Sequence, residues 1–153
     1  MTTPRLLPKP LTAYRIGDPA GAYPVFSPEG ARRVAGRWHE QGARMVYASE
    51  HYSTAMLEKL VHWNGVLPGN QHFIEITIPA GLSYEVVTPD ILPDWYRTGG
   101  EAARRFGSTW HSEKRSVILL VPSVVARVER DVVINAEHPE FTRIEVGLET
   151  PVW

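Results

Sequence analysis

At 153 residues, with 43% hydrophobic and 22% charged side chains, the chain is the size of one domain and can bury its own core. A formal net charge of −1 lacks the basic excess that releases counterions from nucleic acid or holds a protein to an anionic membrane. The absence of cysteine removes disulfides, thiolate catalysis and cysteine metal sites. The first residues hold no apolar run long enough for a signal peptide, and no segment reaches membrane-spanning length. The chain therefore reads as cytoplasmic, with no direct nucleic-acid or membrane partner.

Residues 1–12, rich in proline, are expected to form an irregular arm, and 13–153 a single domain. "AYRIG" predicts a short strand. "DPAGAYPVFSPEGARRVAG" predicts a long loop punctuated by Pro and Gly, of a length that is often functional in compact domains. "RMVYAS" predicts a buried strand, with Ser49 or Ser53 capping a helix that runs to about Trp63. "HFIEITIP" alternates, with Ile74, Ile76 and Ile78 on one face and Glu75 and Thr77 on the other. "LSYEVVT" predicts another strand, "LPDWYRTGG" a turn and "GEAARRFGSTWHSE" a helix. "SVILLVPS" predicts a buried strand ended by Pro122, and "VVIN" and "RIEV" two more strands. Short strands with two or three helices, in neither strict βαβ alternation nor a bundle, predict a compact mixed α+β domain.

On the helix after Tyr47, at about 100° per residue, Met56, Leu57, Leu60, Val61 and Trp63 form an apolar stripe. Glu58 lies just outside it and His62 one turn further on, so periodicity alone reads this pair as decoration of a solvated face. Arg37 follows Gly36 at a strand entrance. It is either a loop side chain packed on Trp38 or a guanidinium fork for phosphate, with Gly36 letting backbone approach a ligand. Arg15 offers a second fork. Tyr47, in an otherwise apolar strand, is either a core aromatic or a stacking platform for a flat ring. The six His residues lack metal-site spacing, and no GxSxG elbow, Walker loop or GxGxxG is present.

"YRIG", "GRWHEQGARMVYASEHYSTAMLEKLVH", "SVILLVPS" and "INAEHPEF", in that order from about Tyr14 to about Val146, resemble the RES domain family, the toxins of RES–Xre toxin–antitoxin pairs. Ala136 departs from the Pro that family members commonly carry. The resemblance implies a fold like that of ADP-ribosyltransferases. It implies destruction of NAD+ by hydrolysis or phosphorolysis of its nicotinamide–ribose bond, with protein ADP-ribosylation as the alternative activity. It matches the family's first-strand Arg to Arg15, its GRW Arg to Arg37, its strand Tyr to Tyr47 and its helix Glu to Glu58. The Ser of the VPS block matches Ser123, with Ser116 close by as the alternative, and Asn135 and His138 fall in the Asn…His-Pro segment. Arg37, Tyr47 and Glu58 are thereby expected to be catalytic, and Arg15, Ser123 and Asn135 to bind NAD+ as substrate, with no metal. The implied partner is an Xre-type antitoxin covering the site.

These residue types suit that chemistry. Breaking the nicotinamide–ribose bond passes through an oxocarbenium-like transition state, which a carboxylate such as Glu58 opposes electrostatically. Guanidinium forks match the pyrophosphate, and an aromatic face matches the cationic nicotinamide ring, which leaves neutral without needing a proton. A ribonuclease toxin using His39, His62 or His138, and a non-catalytic nucleotide-binding module, are the competing expectations.

Overall fold

The structure, a computed structural model, describes residues 2–152. The chain opens with β1 (Arg5–Leu6), β2 (Leu11–Gly17) and α1 (Glu29–Arg33), and β3 (Met45–Ser49) leads into α2 (Tyr52–His62). Next come β4 (His72–Ile78), β5 (Ser83–Val86), α3 (Glu101–Glu113), β6 (Ile118–Pro122) and β7 (Arg130–Asn135). A 3₁₀ helix (Pro139–Arg143), β8 (Glu145–Val146) and β9 (Thr150–Pro151) complete it. The strands form one mixed sheet in the order β1-β5-β6-β7-β3-β2-β4-β8, with β9 also on β4. Among the described residues only β5 and β6 pair in parallel, and α3 supplies the crossover that a parallel pair needs. The expected compact α+β class is what the chain adopts.

Both sheet faces are covered, which explains why β3 and β6 read as continuous apolar runs rather than alternating ones. One face packs Val46, Ala48, Val132 and Ile134 with the isoleucines of β4. The other packs Met45, Leu119, Val121 and Val133 under Trp38, Trp95 and Trp110. Pro122 ends β6, as expected of a residue with no amide proton to donate to the ladder.

Several local expectations are corrected. Residues expected to form an irregular arm include β1, paired to β5, and the buried Leu7. The long loop over 18–36 contains α1, which Ser27 starts by accepting from the Glu29 N–H at 3.2 Å; its Pro and Gly punctuation conceals so short a helix. Neither Ser49 nor Ser53 caps α2. The cap residue is His51, in extended conformation and without a side-chain cap, because the Ser49 hydroxyl is committed to Asp131. Of "RIEV", Arg143 ends the 3₁₀ helix and Ile144 caps it, leaving a two-residue strand, Glu145–Val146.

One close approach fixes the loop before β3. A Cβ at Gly107 of α3 would lie 1.9 Å from the Trp38 carbonyl oxygen, so helix and loop backbone touch directly. Gly107→Ala is expected to cost at least ~1–3 kcal/mol by overpacking, read from the urea midpoint. An unchanged midpoint would mean that α3 and the loop separate freely.

Candidate functional site

The site forms at the end of the sheet where β3 finishes and β7 begins. Antiparallel register sets Ser49 opposite Asp131, and Asp131 opposite Val121 on its other side. Ser123, just past the end of β6, therefore arrives at the same edge. The β3–α2 turn is short, so α2 folds back over this edge and brings Glu58 down onto it.

Two hydroxyl–carboxyl contacts define the centre. Ser123 Oγ donates to Glu58 Oε1 at 2.8 Å and accepts from the Ala126 N–H at 3.2 Å. Ser49 Oγ donates to Asp131 Oδ1 at 2.8 Å. The Glu58 and Asp131 carboxyls lie within hydrogen-bonding reach of each other. Burial pushes the Asp131 carboxyl up to about 9, and its contact with Glu58 adds to the rise, against the opposing effect of Ser49. Glu58, Asp131 and Ser49 line a cavity of about 190 Å³ together with Tyr14, Arg15, Tyr47, Lys59 and His62, and Ser123 is buried behind Glu58. Burial also lowers the Lys59 ammonium, and the Arg15 charge lowers it further, while Asp18 opposes both.

Helix α2 is turned over relative to its periodicity. Leu57, Val61 and Trp63 are 40%, 54% and 52% exposed, whereas Glu58 and Lys59 are partly buried. The helix docks instead through the buried Thr54 and through Tyr52, whose ring meets Tyr14 and Phe73 edge-on at 6.3 and 5.2 Å. Aromatic packing at its first turn thus decides which side faces the sheet.

Tyr47 ties the "GRWH" loop to the cavity. Its hydroxyl accepts from the Trp38 N–H at 3.2 Å and sits 2.6 Å from His39 Nδ1. His39 Nε2 lies 2.8 Å from both the Ala31 and Val34 carbonyls, so Nε2 carries the proton and, in the neutral ring, Nδ1 accepts from the Tyr47 hydroxyl. Burial raises the Tyr47 pKa strongly, which keeps the phenol neutral. Gly36 serves this packing: a Cβ there would lie 2.7 Å from His39 Cε1 and 3.1 Å from the Tyr47 hydroxyl. The close approach at Gly36 is therefore to the chain's own side chains.

The remaining expected residues separate. Arg37 leaves Trp38 buried in the core and donates through Nη1 to the Trp95 and Arg97 carbonyls at 3.0 and 3.3 Å. It stands with Arg104 and Arg127, whose charges add to burial in lowering its pKa. Among the described residues none of these three has an ion-pair partner. Arg15 is partly buried and already donates to the Val25 and Tyr47 carbonyls at 2.6 and 2.8 Å, so it is not a free two-pronged fork. Ser116 accepts from the Trp110 indole at 2.8 Å in the core, so of the two serines it is Ser123, itself buried, that reaches Glu58. Asn135 shares a β7 face with Asp131 but lies at the strand's other end. Its amide donates to the His111 carbonyl and accepts from the Glu137 N–H, and it does not line the cavity. His138 caps the 3₁₀ helix by accepting from the Glu140 N–H.

Asp131, Ser49, Lys59 and Tyr14 are the polar cavity residues that sequence reasoning missed. Asp131 opens "DVVIN", where a charge reads as a solvated strand end. Only cross-strand register sets it against Ser49 and beneath α2.

Comparison with known proteins agrees across nearly the whole chain. The RES domain profile matches residues 12–153. The chain is 39% identical over 139 residues to the Prs ADP-ribosylating toxin of Sphingobium sp. (strain YBL2), covering 86% of each chain. It is 30% identical over 131 residues to Toxin Res of Pseudomonas putida, covering 84% of this chain and 89% of that one. In fold it is similar to a chain of the crystal structure of the M. tuberculosis MbcT–MbcA toxin–antitoxin complex. That match has a TM-score of 0.76 at 17% identity, covering 96% of this chain and 86% of the other.

The carboxyl of Asp131 also sets a pH dependence of stability. Between the ordinary 3.8 and about 9, the folded chain holds a proton that the unfolded chain lacks. The stability from this group is complete below the lower value and is lost progressively as pH rises toward the upper one. Asp131→Asn removes that loss. Its thermal midpoint is expected to exceed the wild-type midpoint by a margin that widens from about pH 5 to about pH 8. A margin independent of pH would place the Asp131 carboxyl in the ordinary range.

Proposed function

The chain belongs to the RES domain family, and on that premise we propose that it is the toxin of a toxin–antitoxin pair, acting by cleaving the nicotinamide–ribose bond of NAD+. The observation that carries this proposal is Glu58, drawn inward off the apolar side of its helix and oriented by Ser123 at a cavity wall. A structural glutamate on a solvated helix face has no use for that placement.

The cavity, at about 190 Å³, is smaller than the ~300 Å³ of a site enclosing a drug-sized ligand. It suits nicotinamide and its ribose, with the rest of the dinucleotide running outward. Tyr47 supplies an aromatic wall for the cationic ring. Arg37, with unpaired guanidiniums beside it, supplies the charge for the pyrophosphate, and Arg15, held by backbone carbonyls, contributes its field rather than a fork. As the bond lengthens, positive charge grows on the ribose and the Glu58 carboxylate stabilises it. Nicotinamide departs with the bonding electrons as a neutral ring, and water or phosphate completes the reaction at the ribose carbon. An Xre-type antitoxin would end the activity by covering the cavity, and the exposed Leu57 and Val61 of α2, with Trp63 just past its end, offer it an apolar seat at the rim. The name of the Sphingobium relative favours a second reading, in which the ADP-ribose passes to a protein.

Glu58→Gln keeps the shape and the hydrogen bond from Ser123 but removes the charge. Turnover, measured as nicotinamide release, is expected to fall ~10²–10³-fold, with KM for NAD+ little changed, because the lost interaction is strongest in the transition state. Wild-type turnover in this variant would return Glu58 to a structural role. Mass spectrometry of the products then separates the acceptors: free ADP-ribose or its phosphate for the first reading, modified protein for the second.

A further inference from the structure

Asp131 takes no part in the reaction as described, yet it lines the same cavity and reaches the one carboxylate that the chemistry needs. A carboxylate has acceptors only, so two carboxyl groups in mutual hydrogen-bonding reach require a proton between them. Two bare anions in a half-closed site repel, and one of them takes up the proton. The serines show how it is shared. Ser49 donates to Asp131 Oδ1, which leaves Oδ2 to carry the proton; Ser123 donates to Glu58 Oε1, which leaves Oε2 to accept it.

We infer that Asp131 is a positioning residue for Glu58: through a shared proton it holds the Glu58 carboxylate toward the cavity, and the pair presents a single negative charge to the substrate. The surroundings fit. Arg15, Lys59 and His62 face the cavity from β2 and α2, and the Tyr47 phenol, neutral by burial, faces it from β3. Neither carboxyl is ion-paired among the described residues, so no adjacent cation takes the place of the proton. The ionic groups flanking Asp131, Glu129 and Arg130, are engaged with His51 and Glu50 at 2.6 Å each. Burial holds the proton on Asp131 through neutral pH. One developing positive charge then meets one negative charge, in a fixed direction.

The inference rests on the role of Glu58 proposed above, so its test has one arm that needs no substrate. Carbon-13 NMR of aspartate carboxyls is expected to show a resonance titrating far above the usual carboxylate range, absent in Asp131→Asn. In Glu58→Gln it should titrate lower than in wild type but still above the usual range, since burial is the largest cause of the rise. In the second arm, kcat/KM for nicotinamide release is recorded against pH. Wild type is expected to lose activity on the alkaline side as the pair loses its proton. Asp131→Asn keeps a donor to Glu58 that cannot titrate, and lacks that alkaline limb. Asp131→Ala keeps no donor, and its kcat falls about tenfold or more below that of Asp131→Asn, with KM nearly equal. A role confined to folding would move thermal midpoints and leave the pH profile alone. Ordinary titration of every aspartate, an alkaline limb retained in Asp131→Asn, or equal kcat in the Asn and Ala variants would each overturn the inference. A high-titrating Asp131 in a protein that releases no nicotinamide would leave the shared proton standing and overturn the NAD+ reading instead.

Discussion

A phenol turned into the protein and largely shielded from water must have partners for its hydroxyl, and at the partly buried Tyr47 that requirement organises the site. The partners come from the loop before β3: the Trp38 amide and the His39 ring. To reach them the loop must fold tightly over the strand, which requires Gly36 beneath the His39 ring and Gly107 beneath the Trp38 carbonyl. Trp38 then fills the core under α3, and Arg37, next to it in the chain, is directed to the opposite side, onto the Trp95 and Arg97 carbonyls. The Tyr47 carbonyl holds Arg15 as well. One side chain in an apolar strand thus couples the wall of the cavity to the loop that carries the outer guanidinium.

Helix α2 adds the reactive carboxylate at an energetic cost. It exposes Leu57, Val61 and Trp63 and draws Glu58 inward, the reverse of what maximal apolar burial favours. Burying a second carboxyl beside the first would be costly if both were charged. The two serines and the shared proton reduce that cost, since each hydroxyl takes one carboxyl oxygen and the proton occupies the gap. Local instability traded for a directed charge is what a site built for a cationic transition state requires.

Charge is distributed to match. The net charge of −1 conceals an uncompensated cluster of Arg37, Arg104 and Arg127 and a separate cationic wall of Arg15 and Lys59. Arg15 and Lys59 share the cavity with the carboxyl pair, and each guanidinium is anchored by backbone carbonyls or by aromatic faces, as where Arg127 lies 5.0 Å over Tyr96. Anchoring of this kind removes the entropy that long side chains otherwise lose on binding an anion.

The amino-acid order alone determined the α+β class, the central strands and the family. Continuous apolar runs at β3 and β6, the alternation of β4 and four spaced motif blocks are local features that survive any packing. The blocks also marked Arg37, Tyr47, Glu58 and Ser123. The side of α2 that faces the sheet was not legible. Periodicity at Leu57, Leu60 and Val61 points the helix one way, whereas Tyr52 packing on Tyr14 and Phe73, residues distant in sequence, turns it the other. Asp131 was illegible for a related reason. Its neighbours Ser49 and Glu58 are brought to it by strand register and a helix crossing, and its proton by the burial they create. Asn135 shows the converse: its motif is plain in the sequence, but its place at the far end of β7 gives its amide to His111 and Glu137. Residue types and their spacing set which groups the chain carries. Which of them meet, and in what charge state, was decided by long-range pairing, because desolvation and hydrogen bonding act between groups that only the fold brings together.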